Sequence, residues 1–157
     1  MKIIIALGII LYSNYSYSLA NWKLVQKHEK SLEVWKYTVE KNIFVTFDEK
    51  KMKGINIKSL TKESLLKKYI QKKSKFLKLI GIANWKVKDN SLNKTRDQFK
   101  VSGNYTGHQQ NVVYFEELQI FKNKKIKQIL FTAPKNTNKI FRIKNQIVPW
   151  LLSRKTN

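Results

Sequence analysis

The chain has 157 residues, of which 42% are hydrophobic and 27% charged, as in an ordinary globular domain. It contains no cysteine and two histidines, which excludes disulfides, thiolate metal sites and a cysteine nucleophile and leaves little imidazole for catalysis. Its 32 basic residues against 10 acidic ones give a formal net charge of +22, which favours polyanionic partners such as nucleic acid, anionic lipid head groups or acidic glycans.

The first 20 residues have the three parts of a secretory signal peptide. Lys2 supplies the positive start, residues 3–11 form an apolar run, and residues 12–20 end in small residues at the positions that signal peptidase reads. Because about 20 apolar residues are needed to cross a bilayer, we expect cleavage after Ala20. An uncleaved membrane anchor and a buried N-terminal strand are the alternatives. The mature chain would begin at Asn21, keep a net charge of +21 and contain no transmembrane segment.

The remainder, residues 21–157, is interpreted as a single domain because no repeat or linker interrupts it. Alternating and β-branched segments predict its first strands at residues 22–27, 32–37 and 42–47. A further short strand is expected at residues 54–58. The charged residues 48–51 are interpreted as a solvated turn.

The hydrophobic period changes to that of a helix over residues 61–80, and Gly81 follows where a C-terminal cap belongs. Lys73 falls inside the apolar arc, so we expect its stem to lie along the core while the ammonium group reaches solvent. The opposite face of this predicted helix carries four residues that we call the helix lysines: Lys67, Lys68, Lys75 and Lys78.

Strand signals resume after Gly81. Aromatic and β-branched residues predict strands at 83–88, 98–105, 111–121 and 125–133, with breaks at 89–91, 103–107 and 122–124. A second helical stripe runs from Ile140 to Leu152, with Asn136 or Thr137 as its expected cap. Pro149 lacks a backbone donor, so we expect it to kink this helix or end it early.

This order of elements predicts an α+β fold in which an antiparallel sheet is packed by a long middle helix and a C-terminal helix. The middle helix at 65–80, the hairpin of residues 112–121 and 125–133, and a closing helix with Phe141 in its first turn resemble the Mog1/PsbP-like fold group. The resemblance covers most of residues 32–152 and implies an α/β/α sandwich. It also implies a binding or accessory role, since the group includes photosystem accessory subunits, nuclear-transport factors and effector-loading chaperones. A cystatin-like or nuclear-transport-factor-like sheet is the rival fold.

No catalytic, metal or cofactor site is predicted. His28 ends a charged strand and is expected to face solvent, and His108 is interpreted as part of a hairpin loop whose glycines could alternatively shape a pocket. Glu116 and Glu117 are adjacent in a predicted strand, so their side chains point to opposite faces and cannot act together as a catalytic pair. We expect the acid that points inward to neutralise a lysine.

Two sets of basic residues are candidate polyanion-binding sites: the helix lysines, and the hairpin lysines Lys122, Lys124, Lys125 and Lys127. An alternative explanation is compositional. Only three of the 32 basic residues are arginine, the better ligand for phosphate, and abundant Lys, Ile and Asn are typical of an AT-rich genome. The four tryptophans also occupy positions that suit core packing better than base stacking: Trp22, Trp35, Trp85 and Trp150.

The sequence therefore predicts a small, exported, non-enzymatic binding or accessory protein of the bacterial envelope, periplasmic or secreted. Its expected partner is an envelope protein or an anionic polymer, and no cofactor is expected. The alternative is a basic binder of lipopolysaccharide, cell-wall polymer or nucleic acid, which a steep loss of affinity with salt would reveal.

Overall fold

The computed structural model describes residues 19–28, 32–52, 57–82, 84–107 and 110–154. The strands are β1 (Trp22–His28), β2 (Leu32–Tyr37), β3 (Phe44–Lys51), β4 (Lys86–Leu92), β5 (Gln98–Thr106), β6 (Val112–Lys122) and β7 (Lys125–Pro134). The helices are α1 (Lys62–Leu79) and α2 (Ile140–Ser153), and a short 3-10 helix (Ile57–Ser59) precedes α1. Within the described ranges, neither α-helix is long and apolar enough to cross a membrane.

In the described part of the chain, seven strands form one antiparallel sheet in the order β1-β2-β3-β7-β6-β5-β4. The meander β1-β2-β3 and the meander β4-β5-β6-β7 join where β3 pairs with β7, from Phe44 opposite Thr132 to Lys51 opposite Lys125. This long-range pairing places early residues beside late ones at the centre of the sheet.

The two helices cover opposite faces of the sheet. Consecutive residues of a strand point to opposite faces, and on β7 Ile129 belongs to the core beneath α2 whereas Leu130 packs on the core beneath α1. The α2 core contains Ile143, Ile147 and Leu151 from the helix. The molecule is therefore an α/β/α sandwich, and the predicted α+β fold is confirmed.

The ends of α1 follow local rules of capping. Thr61 Oγ1 accepts a hydrogen bond from the N–H of Ser64 at 3.1 Å. At the other end Gly81 has a φ of 71°, which a residue without a Cβ adopts without strain. The N–H groups of Gly81 and Ile82 then donate to the carbonyls of Lys78 and Leu77, which closes a Schellman motif. The predicted helix and its glycine cap are confirmed.

One prediction about the early part of the chain is wrong, and a second is tested only in part. Residues 48–51 are not a solvated turn but the second half of β3, because ion pairs accommodate their charges: Lys125 on β7 donates to Glu49 at 2.6 Å, and Lys50 pairs with Asp48 of the same strand. Part of the predicted strand at 54–58 lies outside the described residues, and the remainder begins the 3-10 helix at Ile57.

The fourth strand is also displaced from its predicted position. It spans Lys86–Leu92, so it runs through residues 89–91, which were expected to form a break. These polar residues are tolerated because β4 is an edge strand: within the described residues it pairs with β5 alone, through a bulge between Val87 and Asp89.

The start and end of α2 differ from the prediction as well. The cap is neither Asn136 nor Thr137 but Lys139, which has a left-handed backbone and makes no capping hydrogen bond through its side chain. Pro149 does not end the helix, which continues to Ser153. The buried stripe that includes Ile147 and Leu151 packs on both sides of the proline and stabilises the helix across the lost backbone bond.

Arg154 ties the end of α2 to β2. Its guanidinium donates to both carboxylate oxygens of Glu33 at 2.5 and 3.0 Å and lies over the Trp150 ring at 4.9 Å. These hydrogen bonds hold the pKa of Glu33 below its usual range.

The packing of α2 gives a stability prediction. Ile147 is 0% exposed, so Ile147→Ala should lower the free energy of unfolding by about 2–5 kcal/mol through lost burial and a residual cavity. Phe141→Ala on the same helix is the matched control, because Phe141 is 70% exposed and should cost less than about 1 kcal/mol. Chemical denaturation measures both, and equal losses would contradict the assignment of the buried face.

Candidate functional site

A cleft of about 470 Å³ lies between α1 and the sheet. We call it the basic cleft, after the polar side chains that line it: Lys50, Lys68, Tyr69, Lys72, Lys73 and Glu117. Apolar side chains complete its walls, among them Leu60, Leu65 and Phe121. Its volume is within the range of about 300–1,000 Å³ that small-ligand sites occupy.

The register of the sheet assembles the floor of the basic cleft. Gln119 lies directly opposite Gln128 in the β6–β7 pair, and Gln128 lies directly opposite Asp48 in the β3–β7 pair. Since directly paired residues share a face, a row of polar side chains crosses the centre of the sheet. The cleft therefore depends on contacts between residues far apart in the sequence.

Glu117 is the buried acid at this floor, with 1% of its surface exposed. Its Oε2 atom accepts from Tyr69 Oη and Lys73 Nζ, both at 2.9 Å. Its Oε1 atom accepts from the side-chain amides of Gln119 at 3.0 Å and Gln128 at 2.5 Å. A buried carboxylate is tolerated only when it is hydrogen-bonded and paired with a cation, and Glu117 meets both conditions.

The contacts of Glu117 test two sequence predictions. The inward-pointing acid of the Glu116–Glu117 pair does neutralise a lysine, as expected, and Glu116 on the other face pairs with Lys144 at 2.8 Å. The prediction that the Lys73 ammonium reaches solvent is wrong. Its side chain is only 19% exposed because the buried carboxylate attracts the ammonium group inward. Burial and the adjacent Glu117 carboxylate also raise the pKa of Tyr69 far above its usual range, so its phenol remains a hydrogen-bond donor.

Two lysines at the mouth of the basic cleft are electrostatically uncompensated. Lys68 and Lys72 are four residues apart on α1, and neither forms an ion pair with any residue in the described ranges. Like charges at this spacing repel by about 0.2–0.5 kcal/mol. Lys50, on the sheet side, instead pairs with Asp48 at 2.5 Å. An anion between Lys68 and Lys72 would relieve their repulsion.

Only one of the four helix lysines, Lys68, lines the basic cleft. Lys67, Lys75 and Lys78 are exposed, and Lys78 borders a separate shallow depression beside Trp85. Lys72 and Lys73, which also line the cleft, were not among the candidate anion-binding lysines, and Lys73 was instead assigned to the apolar arc. Lys50 was missed because only the β3–β7 pairing brings it to the cleft.

The hairpin lysines lie elsewhere. Lys122 and Lys124 are exposed, whereas Lys125 and Lys127 approach Glu49 at 2.6 and 3.9 Å. Lys127 pairs with Glu49 in the sheet register, on the face that α2 covers. Lys122, Lys125 and Lys127 therefore lie on the face opposite the one that α1 covers, and none of the hairpin lysines lines the basic cleft.

The histidines and the first tryptophans of the sequence do not contribute to the basic cleft where the structure describes them. His28 is exposed, as expected, and His108 lies outside the described residues. Trp22 is buried, and Trp35 contacts Trp150 edge to face at 5.2 Å, so these rings contribute to the core. In the described ranges, no three acidic or histidine side chains converge as a metal-binding group.

No protein-family model and no curated protein matches this sequence. Among solved structures, the chain is similar to the Ran-binding protein Mog1p of Saccharomyces cerevisiae, with a TM-score of 0.53 and 11% identity over 84% of this chain and 77% of that chain. It is also similar to LpqN of Mycobacterium tuberculosis, which is involved in cell envelope biogenesis, with a TM-score of 0.46 and 14% identity over 82% of this chain and 75% of that chain. The chain has the Mog1/PsbP-like fold that its sequence predicts.

The buried ion pair gives a second stability prediction. Glu117→Gln should lower the free energy of unfolding by about 3 kcal/mol or more, because it leaves the largely buried Lys73 without a counter-charge. Glu40→Gln removes an exposed acid and should change stability by less than about 0.5 kcal/mol.

A double-mutant cycle in chemical denaturation completes this test. Adding Lys73→Met to Glu117→Gln should recover part of the loss, because the unpaired charge is then removed. Strictly additive effects of the two substitutions would contradict the pairing.

Proposed function

We propose that this protein is an exported, non-enzymatic binding protein that receives an anionic group of its partner in the basic cleft. The observation that carries this proposal is the pair Lys68 and Lys72, two uncompensated cations at the mouth of a concave site. Hydrogen bonds from ammonium groups to an anion are among the stronger polar contacts in proteins. A phosphate, carboxylate or sulfate group therefore fits the mouth of the cleft.

The state of the cleft floor supports binding over catalysis. Both oxygens of Glu117 are occupied by donors, and the ammonium of Lys73 is held by that carboxylate. A general base needs a free acceptor within reach of the substrate proton. Glu117 is instead used to hold α1 against the sheet.

The proposal of export rests on the N-terminal pattern of residues 1–20. Cleavage after Ala20 would leave the attachment of the first strand intact, because the carbonyl of Asn21 accepts hydrogen bonds from Thr38 N–H at 2.8 Å and Thr38 Oγ1 at 3.0 Å. It would remove Leu19, which packs at the margin of the α2 core.

Export has a direct test. When the full chain is produced in a bacterium, mass spectrometry of the periplasmic and medium fractions should find a protein that begins at Asn21. Ala20→Arg places a large charged residue at the cleavage position and should leave the leader attached and the chain in the membrane fraction. An intact chain in the cytoplasm would contradict the proposal.

The binding site is tested by two double variants with equal loss of charge. Lys68→Gln with Lys72→Gln alters the basic cleft, whereas Lys67→Gln with Lys75→Gln removes two exposed lysines of the same helix that do not line it. We expect the cleft variant alone to lose the partner retained from envelope extract, with affinity about tenfold lower, equivalent to about 1.4 kcal/mol. Digestion with protease or nuclease and chemical extraction then assign the partner to a molecular class.

The alternative function, diffuse binding of an anionic polymer, predicts a different result. The exposed hairpin lysines Lys122 and Lys124 favour it, since neither lines the basic cleft. In that case both double variants should lose affinity equally, and binding should fall steeply and uniformly with salt. That outcome would overturn the assignment of the site to the cleft.

A further inference from the structure

A second, smaller cavity adjoins the basic cleft. We call it the apolar chamber; it has a volume of about 120 Å³ and is lined chiefly by Phe76, Leu77, Ile80, Trp85, Tyr105 and Phe115. An apolar cavity of about 150 Å³ holds a benzene molecule, and the somewhat smaller apolar chamber suits a short run of methylene groups.

The two cavities share part of their lining. Lys73 and Phe76, which are three residues apart and therefore on one side of α1, line both of them. The uncompensated ammonium groups of Lys68 and Lys72 line the basic cleft but not the apolar chamber. A ligand that extends from one cavity into the other thus passes from a cationic mouth to an apolar end.

The lining of the apolar chamber is mostly apolar, apart from the hydroxyl groups of Tyr105 and Thr132 and the ammonium group of Lys73. Among the described residues that line it, Lys73 is the one charged side chain, and its ammonium group is held at Glu117. Burial raises the pKa of Tyr105, which keeps its phenol neutral. Hydrocarbon is therefore the occupant that this lining favours.

Apolar side chains at the outer margin of the chamber are also partly exposed to solvent. Phe76 is 54% exposed and Ile80 is 40% exposed, although both line the chamber. Exposed apolar surface that is continuous with a cavity is a feature of ligand-binding grooves. A flexible chain that lies along α1 would cover these two side chains while its end fills the chamber.

From these observations we propose that the ligand of this protein is a single-chain anionic amphiphile, an alkyl or acyl chain with a phosphate or carboxylate head group. The head group lies between Lys68 and Lys72 at the mouth of the basic cleft, and the end of the chain occupies the apolar chamber. This inference rests on the proposed function and names the chemical class of its ligand.

The test is calorimetric titration of the purified protein with butyl, hexyl, octyl and decyl phosphate below their micelle concentrations. Affinity should rise about threefold to fourfold for each added methylene group, the equivalent of about 0.8 kcal/mol, and stop rising once the chamber is full. Matched alkyl carboxylates distinguish the two head groups, and octyl glucoside tests the requirement for negative charge.

Two variants locate the chain and the head group. Thr132→Ile adds volume at a residue that lines the apolar chamber and should weaken decyl phosphate at least fivefold while leaving butyl phosphate unchanged. Thr46→Ile is the control, because Thr46 lies in the same sheet but lines neither cavity. Lys68→Gln with Lys72→Gln should weaken every alkyl phosphate about tenfold, and thermal unfolding checks that each variant is folded.

The outcomes separate this inference from the proposed function. Affinity that is independent of chain length, or unaffected by Thr132→Ile, would overturn the amphiphile but leave an anion site in the basic cleft. The same holds if no alkyl phosphate binds while the cleft variant still loses its envelope partner. Equal binding of octyl glucoside, or binding unaffected by loss of Lys68 and Lys72, would overturn both proposals.

Discussion

The rest of the site depends on the hydrogen bonds that the buried Glu117 carboxylate accepts. It joins two residues of α1, Tyr69 and Lys73, to two glutamines of the sheet, Gln119 and Gln128. An apolar residue at position 117 would allow α1 to pack directly on β6. The charge instead requires donors around it, and the polar groups that satisfy it form the floor of a cleft. The same interaction therefore positions the helix and keeps space beneath it.

The positions of the few acidic residues determine which basic residues remain without a counter-charge. In the described ranges, five of the chain's ten acids pair with cations, and these five lie on β2, β3 and β6: Glu33, Asp48, Glu49, Glu116 and Glu117. They hold together the sheet and the elements packed on it, and they neutralise the basic groups nearest to them. The uncompensated charge then falls on residues such as Lys68 and Lys72, so the high net charge has local consequences even if genome composition is its origin.

The sequence predicted the features that depend on residues close together in the chain, but not those that depend on contacts between distant residues. Local patterns were sufficient for α1 with its Gly81 cap and for the alternating strand β2. Residues 48–51 were misjudged because their charges are matched by partners such as Lys125, far along the chain. Lys73 in an apolar arc and Glu117 in an apolar strand were each visible in the sequence. Their ion pair could not be predicted from a local pattern, because it depends on how α1 packs on β6. In the same way, the position of Lys50 in the cleft depends on the pairing of β3 with β7.

The asymmetry between the two faces explains why the basic cleft lies under α1. The helix α2 buries Ile147 and Leu151 completely, and Arg154 fastens its end to β2. The helix α1 lies over a polar floor and leaves Phe76 and Ile80 partly exposed. Close packing on one side stabilises the sheet, and this stability permits incomplete packing on the other. The proposed ligand would bind at this incompletely packed face, where it can make the contacts that folding leaves unmade.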